Sequence, residues 1–272
     1  MGDNFMGFSE MSSFGRNLFA NSIVIDTNIL SYNYKKVKGY EWFDIYKAVI
    51  PSVVALEFLN NQSSSRHGAN YYVPNIKIQQ YDPGIAEFIR KRDHAFNKHR
   101  SDYLIFDFKE DIESFKIFNN YSISSVVSEK FKELYFASVK FLPKEQKKKL
   151  IKKYNYVLSQ DLLCVPLVDE DIIIAYDLLD KALEDNVVNF KSNFKNSWND
   201  ILVLSKAISL SKTLWTSDKV LNNFAAEVYH ARTRTVGDVL ELSFGKELAE
   251  KSIVRKESKG YINRGWDYKM RK

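Results

Sequence analysis

The chain has 272 residues, of which 45% are hydrophobic and 27% are charged, and its formal net charge is +6. These proportions exclude a fibrous, collagen-like or wholly disordered protein. The single cysteine, Cys164, excludes an intramolecular disulfide and a multi-cysteine metal site, and its apolar neighbours predict a buried thiol.

Residues 1–21 form an N-terminal extension that does not resemble a secretory signal. Asp3 and Glu10 interrupt it, and it lacks a basic start and a continuous apolar segment. Elsewhere the longest apolar runs fall far short of the roughly 20 residues that span a bilayer. We therefore expect a cytoplasmic protein without a membrane partner.

The first predicted strand, residues 22–26, is a short β-branched run that ends at Asp26. Thr27 and Asn28 are expected to lead into a helix at Ile29 and Leu30, and a second helical stretch is expected around residues 41–48. Pro51 and Ser52 then predict a third helix start, because Ser52 can cap the backbone N–H groups of a helix. Glu57 would lie about one turn inside that helix.

The middle of the chain, residues 60–161, is predicted to be a largely helical, basic insertion. It opens with a polar loop at residues 60–68, and its clearest helical segments are residues 129–139 and 144–157. A lysine run in the last segment either forms a solvated helix face or contacts phosphates. The lysines concerned are Lys147, Lys148 and Lys149.

Regular α/β signals resume at residues 162–168, a predicted strand followed by a helix that Asp169 can cap. A further helix is expected to start at residue 198 or 199, which places Asp200 in its first turn.

A strand at residues 212–216 ends beside Asp218, and a helix follows at residues 220–228. A last short strand is expected at residues 232–236. Alternating strands and helices predict a parallel, doubly wound sheet. The core would comprise residues 22–59 and 162–227, and residues 228–272 would form the last strand and a basic extension.

Positive and negative charges are segregated along the chain. Residues 60–165 carry 18 Lys and Arg against 12 Asp and Glu, and residues 228–272 carry 11 against 6. Interleaved aromatic and basic residues near the C-terminus can stack bases and pair phosphates, or they belong to a frayed end. The residues singled out there are Arg264, Trp266 and Lys269.

Acids gather where functional groups of α/β sheets are found. Asp26 and Asp218 are predicted at the carboxyl ends of strands, while Glu57 and Asp200 lie early in helices that follow strands. Carboxylates brought close together raise one another's pKa unless a cation neutralises them. Mg²⁺ and Mn²⁺ prefer such oxygen ligands and can activate water for attack on a phosphodiester.

Four motifs, in order, resemble the PIN-domain nuclease family, many of whose members are ribonuclease toxins of bacterial toxin–antitoxin pairs. The resemblance covers residues 22–59 and 162–225. The motifs are residues 23–30 (IVIDTNIL), 51–57 (PSVVALE), 199–208 (NDILVLSKAI) and 214–218 (LWTSD), and residues 165–171 look like the family's entry into the preceding helix.

This resemblance implies a three-layer fold around a central parallel sheet and a metal-dependent endoribonuclease. The acidic quartet of the family would correspond to Asp26, Glu57, Asp200 and Asp218, which would be catalytic and bind Mg²⁺ or Mn²⁺. An RNA substrate, a small antitoxin or inhibitor and a homo-oligomer are the partners it implies. The supporting polar residues would be Thr27, Asn28 and Thr216.

Other functions remain open at this point. A PIN-like scaffold without catalysis would bind nucleic acid or protein, and the same acids would also suit RNA processing or the cutting of DNA. A haloacid-dehalogenase-like phosphatase also begins with a strand that ends in Asp, but it requires a second Asp where Asn28 stands.

Overall fold

The computed structural model describes residues 23–40, 43–59, 61–65, 68–72, 103–108, 115–140, 142–184, 194–244 and 266–269. The N-terminal extension of residues 1–21 and Arg264 lie outside these ranges. Within them, no helix is long and apolar enough to cross a membrane.

The described ranges contain eleven strands and eight helices. The strands are β1 (Val24–Ile25), β2 (Val49–Pro51), β3 (Asn61–Ser65), β4 (Gly68–Tyr72), β5 (Tyr103–Asp107), β6 (Phe115–Phe118), β7 (Leu163–Val165), β8 (Leu214–Thr216), β9 (Arg232–Val236), β10 (Val239–Ser243) and β11 (Trp266–Lys269). The helices are α1 (Thr27–Lys35), α2 (Ser52–Phe58), α3 (Asn120–Ser128), α4 (Lys132–Val139), α5 (Lys144–Ser159), α6 (Asp169–Glu184), α7 (Phe194–Ser209) and α8 (Lys219–Tyr229).

A six-stranded sheet in the order β7-β2-β1-β8-β10-β9 forms the centre of the fold. Its first four strands are parallel, with Val24 opposite both Val49 and Leu214. Val24, Ile25, Val49 and Ile50 are fully buried, as expected of short apolar strands covered on both faces. The predicted α/β class and the parallel arrangement of these four strands are therefore confirmed.

The sheet is mixed, because its last two strands form an antiparallel hairpin. The sequence predicted β9 alone, whereas β10 pairs with both β8 and β9. The turn is Gly237-Asp238, with Gly237 at a φ of 60°. A glycine in a two-residue loop is a strong hairpin signal, because it adopts positive φ without strain.

The predicted helical insertion, residues 60–161, contains strands as well as helices. The expected polar loop is the antiparallel pair β3 and β4, and β5 lies between β11 and β6 in a three-stranded sheet. Leu104 and Phe106 are buried at a spacing of two, a strand period that the surrounding charges obscured.

Two helix predictions are also corrected. Residues 43–48 form a turn rather than the expected helix, and Lys47 has a φ of 59°, which a helix does not accommodate. Helix α7 begins at Phe194, so Asp200 lies in its second turn and not in its first.

Candidate active site

The carboxyl ends of three neighbouring parallel strands place acids at one rim of the sheet. Asp26 directly follows β1 and caps α1, since its Oδ1 accepts a hydrogen bond of 2.5 Å from the backbone N–H of Thr27. Glu57 lies on α2, which follows β2, and Asp218 follows β8. Local chain order thus brings these acids to the position where α/β sheets bind ligands.

Three of the four predicted acids open onto one cavity of about 280 Å³. Asp26, Glu57 and Asp200 line it. The predicted residues Thr27 and Asn28 complete the lining, together with two residues that the sequence did not single out. These are Ser31 and Tyr32, which lie one helical turn beyond Thr27 and Asn28 on α1.

Asp218 stands beside this lining rather than in it. Its carboxylate caps α8 and accepts hydrogen bonds from the backbone N–H groups of Val220 at 2.7 Å and Leu221 at 3.1 Å. Its charge nevertheless raises the pKa values of Asp26 and Asp200. The fourth acid therefore belongs electrostatically to the same cluster.

Asp26 is the most buried acid of the quartet, with 3% of its surface exposed. Burial is the main cause that raises its pKa to about 6, and the charges of Glu57 and Asp218 add to the rise. Hydrogen bonds from Thr216 and Thr27 oppose the rise, because they stabilise the carboxylate form.

The predicted supporting residues form a hydrogen-bonded network around the acids. The Thr216 hydroxyl donates to Asp26 Oδ2 at 2.7 Å and accepts from the Asp218 backbone N–H at 3.0 Å and from Asn28 Nδ2 at 3.4 Å. The Thr27 hydroxyl donates to Glu57 Oε2 at 2.8 Å. Thr27, Asn28 and Thr216 therefore fix the orientation of the acidic side chains.

The pKa of Asp200 is raised more than that of Asp26. Burial, followed by the charges of Asp26, Asp218 and Glu57, raises the pKa of Asp200 to about 8. Without a counter-charge the Asp200 carboxyl therefore keeps its proton at neutral pH. The acids repel one another, which is the expected behaviour of carboxylates that share one cavity.

A buried ion pair fixes α7, the helix that carries Asp200, against α6. Lys206 Nζ lies 2.9 Å from Asp171 Oδ2, and both side chains are almost fully buried. The backbone N–H of Val168 donates to the same oxygen at 2.7 Å, and the Ser209 hydroxyl donates to Asp171 Oδ1. The carboxylate is thus satisfied on both oxygens, as a buried charge requires.

The donor chemistry of the cavity suits a hard divalent cation. Its lining presents carboxylate, hydroxyl and amide oxygens, which Mg²⁺ and Mn²⁺ prefer and zinc does not. Across the described ranges, no three His, Cys, Asp or Glu side chains are already arranged as the ligands of one ion. The oxygen donors therefore fit the ion by their chemical type and not by an arrangement already formed.

The predicted phosphate-contacting residues are placed only in part. Lys147 is half-buried on α5, while Lys148 and Lys149 are exposed on the same helix. Trp266 and Lys269 belong to β11, where their backbones pair with Leu104 and Asp107.

Comparisons with family models, curated proteins and solved structures give no match to this chain. The function of the chain is therefore inferred from the chemistry of the rim.

Proposed function

We propose that this chain is a PIN-like, metal-dependent endoribonuclease that hydrolyses phosphodiester bonds in RNA with Mg²⁺ or Mn²⁺. The observation that carries the proposal is the meeting of Asp26, Glu57 and Asp200 at one cavity, with Asp218 coupled to them by charge. Mutual repulsion of carboxylates opposes folding, so a cluster of this kind indicates a functional role.

The arrangement of the sheet supports the PIN-like part of the proposal. Asp26 and Asp218 follow the adjacent parallel strands β1 and β8, and Glu57 follows β2 on the other side of β1. The motifs that contain Asp26, Glu57 and Asp218 therefore follow neighbouring strands at one rim of the sheet.

In this proposal the four acids hold the cation, and the other side chains orient them. Mg²⁺ held there would neutralise charge on the phosphate and polarise the attacking water. Thr216 and the Thr27 backbone hold Asp26, while the Thr27 hydroxyl holds Glu57. These hydrogen bonds restrict the orientation of the Asp26 and Glu57 carboxylates, and charges held in place favour catalysis.

The direct test uses the purified full chain and a labelled single-stranded RNA. We expect cleavage with Mg²⁺ or Mn²⁺ and none with EDTA, and we expect Asp26→Asn and Asp200→Asn to lose at least 100-fold in rate. Glu227→Gln is the matched control, because it removes one negative charge from the exposed side of α8. Cleavage by both Asn variants at the wild-type rate would refute the site, and RNA binding without cleavage would indicate a scaffold.

We further propose, from the resemblance, that the nuclease acts as a toxin or defence effector restrained by a small inhibitory partner and forms a homo-oligomer. Induced expression should then arrest growth, and the Asp26→Asn variant should not. Harmless expression of a chain that is active when purified would instead favour RNA processing. Light scattering of the purified chain tests the oligomer.

A further inference from the structure

One face of α1 extends from the acidic cavity to the C-terminal end of the helix. Asn28, Ser31, Tyr32 and Lys35 occupy positions i, i+3, i+4 and i+7, which share one side of a helix. The first three line the cavity, and Lys35 is exposed beyond them. At the rise per residue of an α-helix, the seven steps from Asn28 to Lys35 span about 10 Å along this face. The face therefore leads from the acids to the Lys35 ammonium group.

Helix α5 packs across the same end of α1. The Tyr156 hydroxyl donates to Asn33 Oδ1, and the Tyr156 and Tyr34 rings are 5.1 Å apart. Lys153 Nζ donates to the carbonyl oxygen of Phe58 at 2.7 Å and lies over its ring. Because Phe58 follows Glu57 on α2, α5 has a fixed position relative to the cavity.

Three ammonium groups gather at this junction. Lys149 is exposed one turn before Lys153 on α5, and Lys35 lies at the end of α1. Burial lowers the pKa of Lys153, and the charges of Lys35 and Lys149 lower it further. Cations that repel one another favour a bound anion, just as the acids of the cavity favour a bound cation.

We propose that Tyr32, Lys35 and Lys149 form a track that binds a single strand of RNA and leads its backbone into the acidic cavity; this inference depends on the proposed function. The lysines would contact phosphates that flank the cleaved bond. Tyr32 packs against Tyr40 with ring centroids 4.7 Å apart, and it lines the cavity where an unpaired base can stack on it.

A single strand fits this track better than a duplex. Stacking on Tyr32 requires a base that is released from pairing, and proteins usually recognise RNA sequences through such unpaired bases.

The test measures binding of a short fluorescein-labelled RNA to the full chain, with Ca²⁺ in place of Mg²⁺ and a gel to verify that the RNA stays intact. The double substitution Lys35→Gln with Lys149→Gln should reduce the slope of log affinity against log salt by about 1.4. This corresponds to roughly a 25-fold loss of affinity at 0.1 M salt, and the loss should vanish near 1 M. Lys132→Gln with Lys181→Gln, on α4 and α6, is the matched charge control.

Tyr32 is tested separately by substitutions that keep or remove the ring. Tyr32→Leu should weaken single-strand binding about tenfold with an unchanged salt slope, while Tyr32→Phe binds like wild type. Neither substitution should affect binding of the annealed duplex.

The outcomes separate this inference from the nuclease proposal. Absence of RNA binding by wild type, or wild-type affinity and slope in the double lysine variant, would overturn the track even if the chain cleaves RNA. Track-dependent binding without Mg²⁺-dependent cleavage would support the track and refute the nuclease. Equal losses in the two double lysine variants would indicate general attraction by net charge and would also overturn the track.

Discussion

The replacement of Asp200 by Asn tests the repulsion within the acidic cluster independently of any substrate. Burial and the charges of Asp26, Asp218 and Glu57 raise the pKa of Asp200 from 3.8 to about 8, so the folded state holds this proton more tightly than the unfolded state. The resulting stabilisation is complete below about pH 4 and is lost as pH rises through about 8. We therefore expect Asp200→Asn to stabilise the metal-free protein at alkaline pH.

The size of the expected stabilisation follows from the pKa shift of Asp200. At about 1.4 kcal/mol per pH unit, the full change in pKa would correspond to roughly 6 kcal/mol. Asp200 is only partly buried, and solvent screening reduces this value. We expect a gain of about 2 kcal/mol above pH 8, or about 5 °C in melting temperature for a chain of this length, and the gain should fall towards zero below about pH 4, where the carboxyl is protonated in both states.

The assay is thermal unfolding in EDTA between pH 4 and 9, with Glu227→Gln as the control for a simple loss of negative charge. Asp200→Asn is preferable to Asp26→Asn, because an amide at position 26 would disturb the hydrogen bonds from Thr27 and Thr216. Mg²⁺ should raise the melting temperature of wild type more than that of Asp200→Asn. An Asp200→Asn variant no more stable than wild type at pH 9, or stabilised at pH 4 as much as at pH 9, would refute the reasoning.

Three further predictions concern the cation, its supports and the core. Mg²⁺ affinity, measured by calorimetry, should rise with pH by up to about tenfold per unit until about pH 8, because the ion displaces the proton of Asp200, and a flat profile would contradict this. Thr216→Val removes the hydroxyl that donates to Asp26 and should weaken Mg²⁺ binding about tenfold, whereas Thr216→Ser should not. Asp171→Asn leaves Lys206 buried without its charge partner and should lower the free energy of unfolding in urea by about 3 kcal/mol. Adding Lys206→Met should restore part of that loss, and an unchanged urea midpoint in the single variant would contradict the prediction.

Much of the parallel sheet and the positions of Asp26 and Asp218 could be predicted because the signals are local. A β-branched run such as Val24–Ile25 forms a strand covered on both faces, and the acid that follows it must lie at a carboxyl end. Burial at β1 and the capping of α8 by Asp218 agree with that reasoning.

Features that depend on distant contacts could not be predicted in the same way. The contribution of Tyr32 to the cavity depends on how α1 rotates against the sheet, and the effect of the Lys35 charge on Lys153 depends on the packing of α5. Strand β5 was missed because its short apolar alternation is surrounded by charges and its parallel partner β11 lies far along the chain.

The pairing of β5 with β11 also has a consequence for the order of folding. During synthesis β5 and β6 emerge long before β11. The three-stranded sheet therefore lacks its edge strand β11 while the central α/β core assembles. Closing so large a loop costs chain entropy before the new strand contributes hydrogen bonds, which makes this step a candidate for the slowest phase of folding. Until then, β5 presents an unpaired edge on which neighbouring nascent chains can add a strand.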